Sequence, residues 1–275
     1  MLPTTLQLTV DGVWASWPQP GRDADKYSRG VVGIDTGSER YPGAAVLSTL
    51  GALRAGAGFV RYCGTQRAND ALLVRCPSIT FGPGRVSAWV CGCGWDDDGP
   101  GVARLAARLG DGVPCVIDAG AMFCIEGALQ AVGHSRLPQG CLLTPHAGEL
   151  ARLLGVERAD ITSQPLASAA QAACQLGAAV LLKGACQYCV GPDGQSGYIA
   201  VPGPAWTAQA GSGDVLAGVA GALLAAGIEA SLAGALAASL QAVTATEHPG
   251  PFAPDQLADM FPASVNNLQL RVDGP

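Results

Sequence analysis

Ala210-Gly211-Ser212-Gly213-Asp214-Val215-Leu216-Ala217-Gly218 opens the most helix-like apolar run of the chain. Small residues and one carboxylate stand where a loop becomes a helix. Glycine lets backbone N–H groups come close to a ligand, and at a helix start those groups lie at the positive end of the dipole. The natural occupant is an anion, above all a phosphate, with Gly211, Ser212 and Gly213 as its anion hole. Asp214 falls in the first turn of the same helix, placed to act as a general base beside that phosphate. The same stretch also reads as a tight turn followed by an ordinary capping aspartate.

Working outward, the 275-residue chain is 49% hydrophobic and 14% charged, which suits one large α/β domain. A formal charge of −6, with the Lys and Arg residues scattered, argues against nucleic acid and for a small-molecule partner. The N-terminus lacks a basic segment followed by an apolar core, and the apolar stretch at 215–240 is broken by Gly218, Gly221, Gly227 and Glu229. Neither a signal peptide nor a membrane span is expected, so the expected location is cytoplasmic. The ten cysteines sit mostly in apolar runs, as in Val113-Pro114-Cys115-Val116-Ile117, where they behave as small buried hydrophobes. Cys186 and Cys189 form a C-x-x-C, but in a strand their side chains point to opposite faces and no second ligand pair follows.

In chain order, residues 1–25 carry Pro3, Pro18, Pro20 and Gly21 and predict an irregular lead-in, with a single catalytic domain over 26–275. Val31-Val32-Gly33-Ile34 predicts a buried strand, and Pro42 starts a helix to about Arg54. Its many small residues let another backbone or a flat ligand lie close. Further strands are expected at Gly58–Tyr62, at 86–91 ending in Cys91-Gly92-Cys93-Gly94, at 113–118, at 141–144 and at 179–184. Helices between them make the sheet parallel. Asp118, at a strand's C-terminal end, either contacts a metal or ligand hydroxyl or caps the next helix. Pro145-His146-Ala147-Gly148-Glu149 puts an imidazole and a carboxylate on the first turn of a helix at the same sheet edge, where both could also be structural. Lys183-Gly184 leaves a buried strand with a cation suited to a phosphate. A hairpin of 186–190 and 197–201 around Gly191-Pro192-Asp193-Gly194 adds an antiparallel margin. Helices are expected to about 226, over 229–246 and briefly at 255–260.

Five segments in this order, Gly37-Ser38 through Tyr41-Pro42-Gly43-Ala44-Ala45, Leu53-Arg54-Ala55-Gly56-Ala57-Gly58, Leu143-Thr144-Pro145-His146 with Gly148-Glu149, Leu182-Lys183-Gly184 and the 210–218 turn, resemble the NAD(P)H-hydrate dehydratase family. That family belongs to the ribokinase-like superfamily, so the resemblance implies a three-layer α/β/α fold with a mostly parallel sheet and an antiparallel edge hairpin. It implies repair of NAD(P)H hydrate with ADP or ATP as co-substrate and Mg2+ as cofactor. Carried over by position, Ala44, Gly94, His146 and Asp214 would meet the hydrate, and Lys183, Gly184, Ala185, Cys186, Gln187 and Gly213 the adenine nucleotide. Glu149 would hold Mg2+ through water. A homo-oligomer, a tetramer by the family's habit, and a separate NAD(P)H-hydrate epimerase are the implied associations.

The chain departs from the family in three places. Cys91-Gly92-Cys93-Gly94 stands where relatives usually have Pro-Gly-Leu-Gly, Asp25-Lys26 replaces His-Lys, and no His-Gly occurs where 239–242 would place it. Two other readings use the same turn. One is a kinase of a small hydroxymethyl or sugar-like compound, which the Tyr41–Ala45 and His146 features oppose. The other is an idle nucleotide-binding protein, which Asp214 opposes.

Overall fold

Val31, Val32 and Ile34 are all fully buried, because their strand is covered on both faces. The computed structural model describes residues 2–96 and 100–273. The chain runs β1 (Thr4–Gln7), α1 (Val10–Ser16), β2 (Val31–Asp35), α2 (Pro42–Arg54), β3 (Phe59–Tyr62), α3 (Asn69–Arg75), β4 (Thr80–Phe81) and β5 (Ala88–Cys91). It continues through α4 (Gly101–Gly110), β6 (Cys115–Ile117), α5 (Ile125–Val132), β7 (Cys141–Leu143), α6 (Ala147–Leu154), α7 (Arg158–Ser163) and α8 (Pro165–Leu176). It closes with β8 (Ala179–Leu182), β9 (Tyr188–Val190), β10 (Ser196–Ile199), α9 (Ser212–Ala225), α10 (Ala230–Glu247) and α11 (Pro254–Asp273).

The strands form one ten-stranded sheet in the order β1-β10-β9-β8-β7-β6-β5-β2-β3-β4. Only β8 with β9 and β9 with β10 pair antiparallel, so the expected mixed margin is present. Side chains alternate across the pleat, as β5 shows: Val90 joins a core with α1, α2, α9, α10 and α11, while Trp89 and Cys91 join a second core with α4, α5, α6 and α8. That is the three-layer α/β/α arrangement expected from the resemblance. The close-lying partner of the small-residue helix α2 is another backbone. A Cβ on Gly218 of α9 would stand 2.0 Å from the Ser48 carbonyl oxygen, and one on Gly51 would stand 2.1 Å from that of Val215.

The lead-in reading for residues 1–25 needs correction. β1 pairs in parallel with β10, and Thr9 caps α1 by accepting from Gly12 N–H at 3.1 Å. Val13, Trp14 and Trp17 are buried in the main core. A four-residue edge strand and a seven-residue helix are too short to show periodicity among prolines. The last helix is longer than expected and carries Pro262 inside it. Cys186 precedes β9 and is exposed, so the two cysteines of the C-x-x-C are not strand partners. No disulfide joins the ten cysteines among the described residues.

Candidate active site

Four adjacent parallel strands end along one edge of the sheet, and the residue or two after each end stand in a row. Cys93 follows β5, Asp118 follows β6, Thr144 follows β7 and Lys183 follows β8. The row is hydrogen-bonded together. Asp118 Oδ1 accepts from Thr144 Oγ1 at 2.6 Å and from Lys183 Nζ at 2.9 Å, while Cys93 Sγ donates to Asp118 Oδ2 at 3.4 Å. Asp118 is 2% exposed and Cys93 fully buried. Of the two roles open to Asp118, the structure shows no side-chain capping of the following turn. Its carboxylate instead forms the centre of this row. Ala119 next to it has φ 45°, a left-handed conformation that strains a residue with a Cβ.

α9 brings Asp214 over this row. Ligand atoms of Cys93, Asp118 and Asp214 all lie within 4.8 Å of one another. Burial pushes the Asp214 carboxyl up to about 7, with the Asp118 charge adding to it and Lys183 opposing. Burial acts against the Lys183 ammonium, but the Asp118 and Glu149 carboxylates together raise its pKa. Burial and the two carboxylates lift the Cys93 thiol well above the usual range.

The turn before α9 has part of the backbone geometry that an anion cradle requires. Gly211 has φ 93°, which only glycine adopts freely, whereas Gly213 is helical. Ser212 N–H is engaged by Gln209 O at 3.2 Å, and the first helical bond runs from Val215 N–H to Gly211 O at 3.2 Å. Gly213 and Asp214 thus carry the first-turn N–H groups that no helical carbonyl reaches. Lys183 Nζ lies 3.1 Å from where a Cβ on Gly213 would sit, so the lysine charge roofs the same spot. Gln241 of α10, buried, donates to Ser212 O at 2.8 Å and fixes the turn. It falls inside 239–242, the segment already marked by the missing His-Gly.

The other expected residues divide across this centre. On one side a Cβ on Gly94, which has φ 66°, would meet the Ala44 Cβ at 2.6 Å, and Gly37 N–H bonds Cys93 O at 2.7 Å. On the other side the loop after β8 leaves Gly184, Ala185 and Cys186 exposed and Gln187 half-buried. His146 caps α6: its Nδ1 accepts from Gly148 and Glu149 N–H at 3.0 and 3.1 Å, and Glu149 Oε2 accepts from His146 N–H at 2.8 Å. The imidazole is 61% exposed, with Nε2 3.6 Å from Glu149 Oε2. His146 also bridges to Lys183 across β7 and β8.

The sequence reading missed Asp35 at the end of β2. It is 1% exposed, paired with Arg104 and Arg108, and the two guanidinium groups stack on Trp95 and Trp89 at 4.1 and 4.2 Å. Arg104, Trp95, Ser38 and Glu39 line a cavity of about 270 Å3 beside the Gly94 side of the centre. A larger cavity of about 640 Å3, between residues 17–29 and the C-terminal ends of α2 and α9, is lined by none of the candidate residues.

The sequence profile of the family described as NAD(P)H-hydrate dehydratase matches residues 32–262. A bifunctional NAD(P)H-hydrate repair enzyme of Mycobacterium tuberculosis is 42% identical over 228 residues, covering 81% of this chain and 46% of that protein. An ADP-dependent (S)-NAD(P)H-hydrate dehydratase of Neisseria meningitidis serogroup B is 33% identical over 78% of this chain and 76% of its own. The chain spans about half the length of the bifunctional relatives it matches. In fold it resembles an ADP/ATP-dependent NAD(P)H-hydrate dehydratase of Bacillus subtilis co-crystallised with ATP/Mg2+, with a TM-score of 0.84 over 97% of this chain and 99% of that one at 23% identity. A hydroxyethylthiazole kinase of Pyrococcus horikoshii shares the fold less closely, with a TM-score of 0.63 over 95% of each chain at 19% identity. Profile and relatives together show that the chain belongs to the NAD(P)H-hydrate dehydratase family.

Proposed function

We propose that this chain restores NAD(P)H from its hydrate, using ADP or ATP to turn the ring hydroxyl into a phosphate that can leave. The observation that carries the reading is Asp214: a carboxyl raised to about 7 beside first-turn N–H groups and the half-buried Lys183. Such a group is a competent base near neutral pH. In this reading Asp214 takes the proton of the ring hydroxyl as its oxygen bonds to the terminal phosphorus. The bond from that phosphorus to the nucleotide's bridging oxygen breaks. Gly213 and Asp214 N–H groups, with Gly211 shaping the turn, hold the charge on the phosphoryl oxygens. Phosphate then departs, pushed by the ring nitrogen's lone pair, and loss of a proton from the adjacent ring carbon to solvent restores the dihydropyridine.

Lys183 and the loop Gly184, Ala185, Cys186 and Gln187 would face the nucleotide, and Ala44, Gly94 and His146 the hydrate. Glu149 fits Mg2+ held through water, because its carboxylate, held by His146 N–H, lies close enough to Lys183 to act on that charge; when bound, the ion would supply charge neutralisation on the phosphates. No helix of the described residues is long and apolar enough to cross a membrane. A cytoplasmic homo-oligomer, tetrameric by the family's habit and working beside an NAD(P)H-hydrate epimerase, completes the proposal.

Incubating NADPH hydrate with ADP or ATP tests the function. The expected result is recovery of reduced-nicotinamide absorbance with stoichiometric free phosphate. A phosphorylated product without free phosphate, from a small hydroxymethyl compound, would support the kinase reading that the shared fold permits.

A further inference from the structure

The Cys93 thiol is fully buried and turned toward two carboxylates. Packing alone does not call for a sulfur between Asp118 and Asp214. Bound to a tetrahedral divalent ion, one thiolate and one carboxylate oxygen lie about 3.6 Å apart, from metal–sulfur and metal–oxygen bonds of about 2.3 and 2.1 Å. Cys93 Sγ is already 3.4 Å from Asp118 Oδ2, and Asp214 offers a ligand oxygen within 4.8 Å of the Cys93 sulfur and of an Asp118 carboxylate oxygen. Lys183 and Thr144 sit on the other oxygen, Oδ1, so Oδ2 remains for an ion.

We propose that Cys93, Asp118 and Asp214 form a site for one thiophilic divalent cation, of the class of Zn2+ or Cd2+, in the chamber of the candidate base. One sulfur and two carboxylate oxygens leave a fourth tetrahedral position for water or a phosphate oxygen. Thiolate ligation selects against Mg2+, which takes oxygen ligands in octahedral geometry. Binding exchanges the thiol proton, released to solvent, for the metal. Occupancy engages Asp214 and blocks proton transfer, so the ion inhibits. That last consequence rests on Asp214 being the base; the binding does not.

The test is a titration of the nucleotide-free protein with Cd2+, followed by the thiolate-to-cadmium absorbance in the near ultraviolet. About one tight equivalent is expected, retained in Cys174→Ser/Cys186→Ser, lost in Cys93→Ser, and weakened at least about tenfold in Asp118→Asn. Far-ultraviolet circular dichroism checks that the variants fold. On the unaltered protein, dehydratase activity measured across the same titration should fall as the site fills. A signal that survives Cys93→Ser, or one that follows Cys174 and Cys186, overturns the site. Tight binding at Cys93 without inhibition would leave the site standing and remove Asp214 from its role as base.

Discussion

Asp118 and Asp214 carry the same functional group but are placed differently. Asp118 is held by a cation and a hydroxyl, whereas Asp214 is pushed toward its neutral form by burial and by its neighbour's charge. With its carboxyl near 7, kcat/KM should rise with pH and level off above about 7. Asp214→Asn should remove roughly two or more decades of turnover while nucleotide binding persists, which isothermal titration calorimetry checks. The same residue predicts a stability signature. A carboxyl raised from 3.8 in the unfolded chain to about 7 in the fold keeps its proton longer when folded. Stability therefore falls as pH rises through that window, and the loss is complete above it. Asp214→Asn should melt higher than the parent at pH 8 and alike near pH 3; equal melting temperatures at pH 8 would refute the burial argument. His146 needs a finer probe, because it caps α6. His146→Asn keeps a capping acceptor but lacks Nε2, so it should raise KM for the hydrate about tenfold, leave KM for ADP or ATP within about twofold, and cost under about 0.5 kcal/mol. An unchanged hydrate KM would confine His146 to the cap.

At the scale of elements, the joint between α2 and α9 sets where Ala44 stands relative to Asp214. The helices touch backbone to backbone through Gly51 and Gly218, so Gly218→Ala must push them apart. A cost of about 1–3 kcal/mol or more is expected in denaturant unfolding, with a fall in kcat, because Ala44 moves with α2. Unchanged stability would mean that the helices can part freely. This joint was half legible: the small residues of α2 announced a close approach, but not that α9 made it. The strands were the most legible elements, because β2, β5 and β8 are buried on both faces and read as unbroken apolar runs. The turn before α9 was legible as a left-handed glycine and a first-turn carboxylate, Gly211 and Asp214, but not the Lys183 ammonium that lies over it. What escaped depends on sheet order, which no local pattern encodes. Cys93, Asp118, Thr144 and Lys183 are far apart in sequence and become neighbours only because β5, β6, β7 and β8 lie side by side. For the same reason Asp35 gave no signal until α4 delivered two arginines to it.

For the molecule as a whole, the N-terminal segment is part of the structure it precedes. β1 covers the outer edge of β10, and α1 buries Trp14 against the main core. Trp14→Ala should cost about 3–5 kcal/mol in denaturant unfolding. Trp206→Ala, at a site 47% exposed, should stay within about 0.5 kcal/mol. Equal effects would show that α1 is dispensable. The unpaired chemistry of the sheet offers one more consequence. Cys91, Cys115 and Cys141 lie on three consecutive strands at its centre, Cys115 and Cys141 as register partners, while Cys174 and Cys186 face solvent. A thiol reagent added to the native protein therefore meets two populations: surface sulfurs that react at once and central sulfurs that wait for the strands to separate. The delay before the central three react is a stopwatch for opening of the sheet, and a shared delay would mark its middle as a unit that comes apart together.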